Sequence, residues 1–108
     1  MNSPLLGKVI VEALLASGVR DVLLAPGSRN APVSLALHAA ETAGLLGLHV
    51  RIDERVAAFT ALGMAKASGR VVAVVTTSGT AVGNLVPAAM EAHTVTTSSV
   101  GSYWTMPL

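Results

Sequence analysis

The chain has 108 residues, which is enough for one small domain and too few for two. Hydrophobic residues make up 52% and aromatics only 3%, so any core must be built from Leu, Val, Ile and Ala. The absence of cysteine excludes disulfides, thiolate metal sites and thiol catalysis, and a net charge of +1 with seven dispersed basic side chains argues against nucleic-acid binding.

Mean hydropathy is high, at +0.64. Charged residues, histidines or polar turns nevertheless interrupt every apolar stretch well short of the roughly 20 residues a spanning helix needs. No membrane span is expected. The first residues carry neither a basic n-region nor a small-residue cleavage site, and the reading from sequence is cytoplasmic.

Ser3-Pro4 puts a hydroxyl and then a proline at a helix start, where the missing N–H of proline costs nothing. Leu6, Ile10 and Leu14 follow at four-residue spacing, with Val9 and Ala13 beside them, and predict one apolar face ending at Gly18. Residues 21–25 form a short apolar run that reads as a buried strand, closed by Pro26-Gly27. Asn30 and Pro32 start a second helix running to about residue 43. Residues 48–52 alternate like a strand. Asp53 caps a third helix that Gly69 closes, and residues 71–75 are a β-branched strand. After the loop Ser78-Gly79-Thr80, a fourth helix is expected over about residues 81–92. Residues 94–108 are rich in hydroxyls, uncharged and without a clear period, and no apolar strand is expected there.

A helix followed by three strand–helix units predicts a parallel sheet with right-handed crossovers, in a three-layer α/β/α arrangement. Ligands of such sheets gather at the carboxyl ends of the strands. Three turns should converge there: residues 26–31, 53–54 and 76–80. The first, Pro26-Gly27-Ser28-Arg29-Asn30, offers a hydroxyl and a guanidinium at a helix N-terminus, which suits anions; a plain β–α turn with a solvated arginine fits the same residues. Ser78-Gly79-Thr80 lacks the lysine of a phosphate-binding loop, and locally a Ser or Thr helix cap beside a glycine explains it as well. Asn84 lies about one turn into the fourth helix and reads equally as a surface residue.

Glu54 stands where an extended run hands over to a helix. Asp53 and Glu54 are adjacent, so their side chains diverge and do not make an acid–base pair. An acid in a first turn also simply suits the helix dipole. His38, His49 and His93 show no metal-ligand spacing, and each reads as a surface or partly buried imidazole.

Taken together and in order, the motifs are more specific. Ala25-Pro-Gly-Ser-Arg29, Asp53-Glu-Arg55 with its following helix, and Thr77-Ser-Gly-Thr-Ala81 with Asn84-Leu85 and Pro87-Ala88 resemble the N-terminal part of the 2-succinyl-5-enolpyruvyl-6-hydroxy-3-cyclohexene-1-carboxylate synthase family, the thiamine-diphosphate enzymes of menaquinone biosynthesis. Glu54, Ala58, Ala61, Gly63, Ala65, Lys66 and Gly69 look like the pyrimidine-binding helix of thiamine-diphosphate enzymes generally.

The resemblance implies that Glu54 is the catalytic acid, hydrogen-bonded to the ring nitrogen of the cofactor's aminopyrimidine. It implies that Ser78, Gly79, Thr80 and Asn84 shape the pyrimidine side, and that Ser28 and Arg29 contact anionic substrate. The implied reaction decarboxylates 2-oxoglutarate and adds the succinyl carbanion to isochorismate. The family's active site lies between two subunits, so a homo-oligomer is implied. Thiamine diphosphate is the cofactor, with Mg²⁺ or Mn²⁺ held by a domain carrying a Gly-Asp-Gly and Asn motif that these residues lack.

The match covers about residues 5–93. Residues 1–93 are therefore expected to form a partial, truncated pyrimidine-binding domain and residues 94–108 a tail departing from the family pattern, such as a frameshift or gene-fragment end leaves. Little or no turnover is expected of the 108 residues alone, and an exposed sheet edge and exposed apolar helix faces are expected to give poor solution behaviour. A non-catalytic α/β module binding a small anion or a partner, or a truncated product without function, are the other readings.

Overall fold

A computed structural model describes residues 3–27, 30–94 and 103–107. Among them are the strands β1 (Asp21–Leu24), β2 (Gly47–Val50), β3 (Val72–Thr76) and β4 (Tyr103–Pro107). The helices are α1 (Ser3–Ala16), α2 (Ala31–Thr42), α3 (Glu54–Ser68), α4 (Thr80–Gly83) and α5 (Val86–Thr94). All neighbouring strands pair in parallel, in the order β2-β1-β3-β4. The chain leaves β1 for β2 on one side and then crosses over β1 to reach β3 on the other. With right-handed crossovers, that reversal sends α2 and α3 to opposite faces. Two separate cores follow. Val11 and Leu14 of α1 and Val33 and Leu37 of α2 pack on one face of the sheet. Ala57, Ala58, Ala61 and Ala65 of α3, with Leu85 and Ala88, pack on the other. The three-layer α/β/α architecture expected from the β–α alternation is what forms.

The face that α1 buries is only partly the expected one: Leu14 is buried and Ile10 packs against the core as expected, but Leu6 and Val9 do not join them. Val11 and Leu14 are buried, whereas Leu6 and Val9 are more than two-fifths exposed. Apolar residues lie around most of this helix, so spacing alone leaves the choice of face open. Steric fit decides it: a Cβ on Gly7 would sit 2.5 Å from the carbonyl oxygen of Pro32, so α1 crosses α2 where only a glycine fits.

The single helix expected over residues 81–92 is two helices, broken at Asn84 and Leu85. Pro87 explains the break. In a continuous helix it would leave the Gly83 carbonyl without its donor and press its ring against that carbonyl. The chain instead closes α4 with tighter bonds, Asn84 N–H to the Ala81 oxygen and Leu85 N–H to the Val82 oxygen, and starts α5 with Pro87 in its first turn.

The tail also differs from expectation. The backbone of residues 103–107 forms β4, in register with β3 from Val72↔Tyr103 to Thr76↔Pro107. Tyr, Trp and Thr carry high strand propensity even without alternation, and Pro107 falls at the strand's last position, where a lost N–H is tolerated. β4 therefore covers the edge of β3. At the opposite edge, the Glu41 carboxylate accepts the Leu48 N–H of β2 at 2.7 Å, so part of that edge is occupied by a side chain. Apolar side chains do stand out in solvent, among them Leu35 at 71%, Ile52 at 80% and Met90 at 66% exposure. No helix among the described residues is long and apolar enough to cross a membrane.

Candidate functional site at the carboxyl rim of the sheet

The strand order places a switch point between β1 and β3, because the connections leaving these two strands run in opposite directions. A crevice opens at the carboxyl ends of strands at such a point. Ladder bonds continue past the strand ends and hold the rim: Ala25 N–H donates to the Val75 oxygen and Arg51 N–H to the Leu24 oxygen. The β1–α2 and β3–α4 turns touch directly. A Cβ on Gly27 would lie 3.1 Å from the Cβ of Thr77, so the absence of a side chain there lets the two turns close on each other.

Asp53 caps α3 as its sequence position predicts. Its Oδ1 accepts the N–H groups of Arg55 at 2.8 Å and Val56 at 3.2 Å, and Gly69 closes the helix in the left-handed conformation at φ +70°. Asp53 is thus engaged with its own backbone, which leaves Glu54, the first residue of α3, as the carboxylate facing the rim. Glu54 is half-buried. Its Oε1 accepts a hydrogen bond from Asn84 Nδ2 at 3.1 Å, across 30 positions of sequence. Among the described residues no second partner engages this carboxylate, so Oε2 is available to a ligand.

The structure therefore joins two of the sequence-predicted site residues, Glu54 and Asn84, by a direct bond. Ser78, Gly79 and Thr80 are exposed on the adjoining turn. Gly79 is the N-cap of α4 at φ +81° and no side chain caps that helix, so the alternative of a Ser or Thr cap does not hold. Ser28 and Arg29 lie outside the described residues. The described residues on either side of them are joined: the Gly27 N–H donates to Asn30 Oδ1 at 2.8 Å, and Asn30 Nδ2 donates to the Ala25 oxygen at 3.0 Å.

Asn30 is fully buried, and its side chain makes no capping bond to α2. Sequence reading took it only as a helix start. The available signal was the Asn itself directly after Pro-Gly-Ser-Arg, because asparagine readily folds back onto nearby backbone. Of the histidines, His38 is exposed, while His49 is partly buried and 3.1 Å from Asp21 at the opposite end of the sheet. The side chain of His93 lies outside the described residues. No group of three His, Asp or Glu residues among the described residues could hold a metal ion.

An apolar groove of about 580 Å³ runs between α1 and α2, lined by Val11, Leu15, Pro32, Leu35 and Leu45 among others. Lys8 and Glu12 of α1 are the charged residues in its lining. The rim brings a half-buried carboxyl and the amide that holds one of its oxygens together.

Comparison with known proteins gives the family. The chain belongs to the family of the N-terminal TPP binding domain of thiamine pyrophosphate enzymes, whose profile matches residues 5–100. Within that class it is similar to 2-succinyl-5-enolpyruvyl-6-hydroxy-3-cyclohexene-1-carboxylate synthases. It is 64% identical over 86 residues to the one from Paenarthrobacter aurescens, covering 80% of this chain and 15% of that protein. It is 62% identical over 84 residues to the one from Mycobacteroides abscessus, covering 78% and 16%. The Nocardia farcinica protein is 59% identical over 86 residues, covering 80% and 16%. The chain thus spans about 15% of the length of the curated relatives it matches.

Proposed function

We propose that the chain supplies the pyrimidine-binding side of a thiamine-diphosphate synthase that decarboxylates 2-oxoglutarate and adds the succinyl unit to isochorismate, in menaquinone biosynthesis. Family membership and the similarity to the named synthases support this reading. The observation that carries it is the Glu54 carboxyl on the switch-point rim, with Oε1 held by Asn84. Thiamine diphosphate supplies the electron sink that decarboxylation of a 2-oxo acid requires.

The chain's own residues do the rest of what falls to this side. Glu54 shares a proton with the pyrimidine ring nitrogen, a carboxyl being the acid that can both give and take it there. Ser78, Gly79, Thr80 and Asn84 border the ring. Ser28 and Arg29 pair with substrate carboxylates, for which a guanidinium offers a two-pronged donor. Residues 1–93 form the pyrimidine-binding unit, and residues 94–108 are a segment that departs from the family pattern. The diphosphate and its Mg²⁺ or Mn²⁺ are held by another domain, within a cytoplasmic homo-oligomer, and these 108 residues alone turn over little or nothing.

Glu54→Gln tests the reading when the chain is joined to the remaining domains of the Paenarthrobacter aurescens synthase. The expected result is a kcat lower by about 100-fold or more, the scale of general acid–base catalysis, with unchanged circular dichroism. An undiminished kcat overturns the reading and favours a module that only binds a small anion.

A further inference from the structure

We infer that the break between α4 and α5 is a positioning device, in which Pro87 forces the helix to end at Asn84 and thereby aims the Asn84 amide at Glu54. The inference deepens the proposed function and rests on it. Asn84 then acts through Glu54 and is a positioning residue at the edge of the pyrimidine side.

Three observations support it. The helix is broken where Pro87 demands, with the Asn84 N–H turned to the Ala81 and Thr80 oxygens and the Leu85 N–H to that of Val82. Leu85 and Ala88, on either side of Pro87, are buried against α3 and the sheet, so the restart of α5 is anchored. Asn84, at the break, reaches across to the first residue of α3 and donates to Glu54 Oε1 at 3.1 Å.

An amide N–H can only donate, so it claims Oε1 as an acceptor and leaves Oε2 as the oxygen that exchanges a proton. The carboxyl is also fixed in rotation. A carboxylate free to turn would present either oxygen and lose alignment with a ring nitrogen. The same bond ties the Ser78–Thr80 turn to the N-terminus of α3, because α4 is a single turn between them.

The cofactor-free 108-residue chain provides the first test, by NMR of the Asn84 side-chain amide. In the unmodified chain one Nδ2 proton should be shifted and slow to exchange. Pro87→Ala, by joining α4 to α5, should bring that resonance to the position it takes in Glu54→Ala. An Asn84 amide unchanged by Pro87→Ala overturns the proposal.

Should Pro87→Ala fail to fold, Asn84→Asp replaces it. A carboxylate facing Glu54 should lower Tm more in the Glu54 chain than in the Glu54→Gln chain, and an equal fall in both overturns the pairing. In the joined enzyme, Asn84→Ala should lower kcat about tenfold, the scale of one hydrogen bond to a charged group, with little change in the KM for thiamine diphosphate. A raised cofactor KM with full kcat means direct binding by Asn84 and overturns the positioning role. Failure of the proposed function itself registers separately, as full kcat in Glu54→Gln, because the NMR pairing needs no cofactor.

Discussion

The two helical layers are built from different residues, and the difference assigns them different work. On one face, α1 and α2 present Val11, Leu14, Val33 and Leu37 to the sheet. Large aliphatic side chains bury the most area, and burial of this kind supplies most of the driving force for folding. On the other face, α3 presents Ala57, Ala58, Ala61 and Ala65. Alanine contributes little area but lets the helix lie close on the strands. A helix seated on alanines has little freedom to shift, and Glu54 is its first residue. One layer stabilises the sheet; the other places an acid.

Substitutions that separate stability from placement probe this contrast. Leu37→Ala should have the largest effect on stability, about 2–5 kcal/mol for a fully buried leucine, read as a lower midpoint in denaturant unfolding. Its effect on cofactor affinity in the joined enzyme should be the smaller one. Ala61→Leu should cost about 1–3 kcal/mol by overpacking, yet weaken thiamine diphosphate binding more than Leu37→Ala does, because it lifts α3 and Glu54 with it. Equal binding losses at equal destabilisation would show that the layers are not specialised. Asp53→Ala should be the mildest. Loss of its bonds to Arg55 and Val56 costs about 1 kcal/mol, and titrating cofactor against this variant measures how far the cap alone fixes Glu54.

Much of this was legible in the sequence where breakers and caps are local. Asp53, Gly69 and Pro26-Gly27 punctuate the chain by their own chemistry, and the β–α alternation between them determines a parallel sheet. The face of α1 was only partly legible, because apolar residues surround it and the decision lies in how closely Gly7 can approach Pro32. The break after α4 was legible in principle from Pro87, but Ala, Val and Leu on both sides carry a helical pattern straight through it. β4 was hidden because its residues have strand propensity without alternation or charge. At the site, Glu54 could be picked out by position and resemblance. Its bond to Asn84 could not, because only the fold brings residues 30 apart to 3.1 Å. The buried Asn30 was missed for a related reason: its side chain reaches back from the start of α2 to backbone atoms of Ala25 and Gly27, which no spacing rule reports.

The central claim concerns one oxygen atom, and a crystal structure of the joined enzyme with thiamine diphosphate bound tests it most directly. The account predicts Glu54 Oε2 within about 3 Å of the pyrimidine ring nitrogen, with Oε1 still on Asn84. A pyrimidine ring bound with its ring nitrogen facing any other group, or Glu54 turned off the rim, would contradict it.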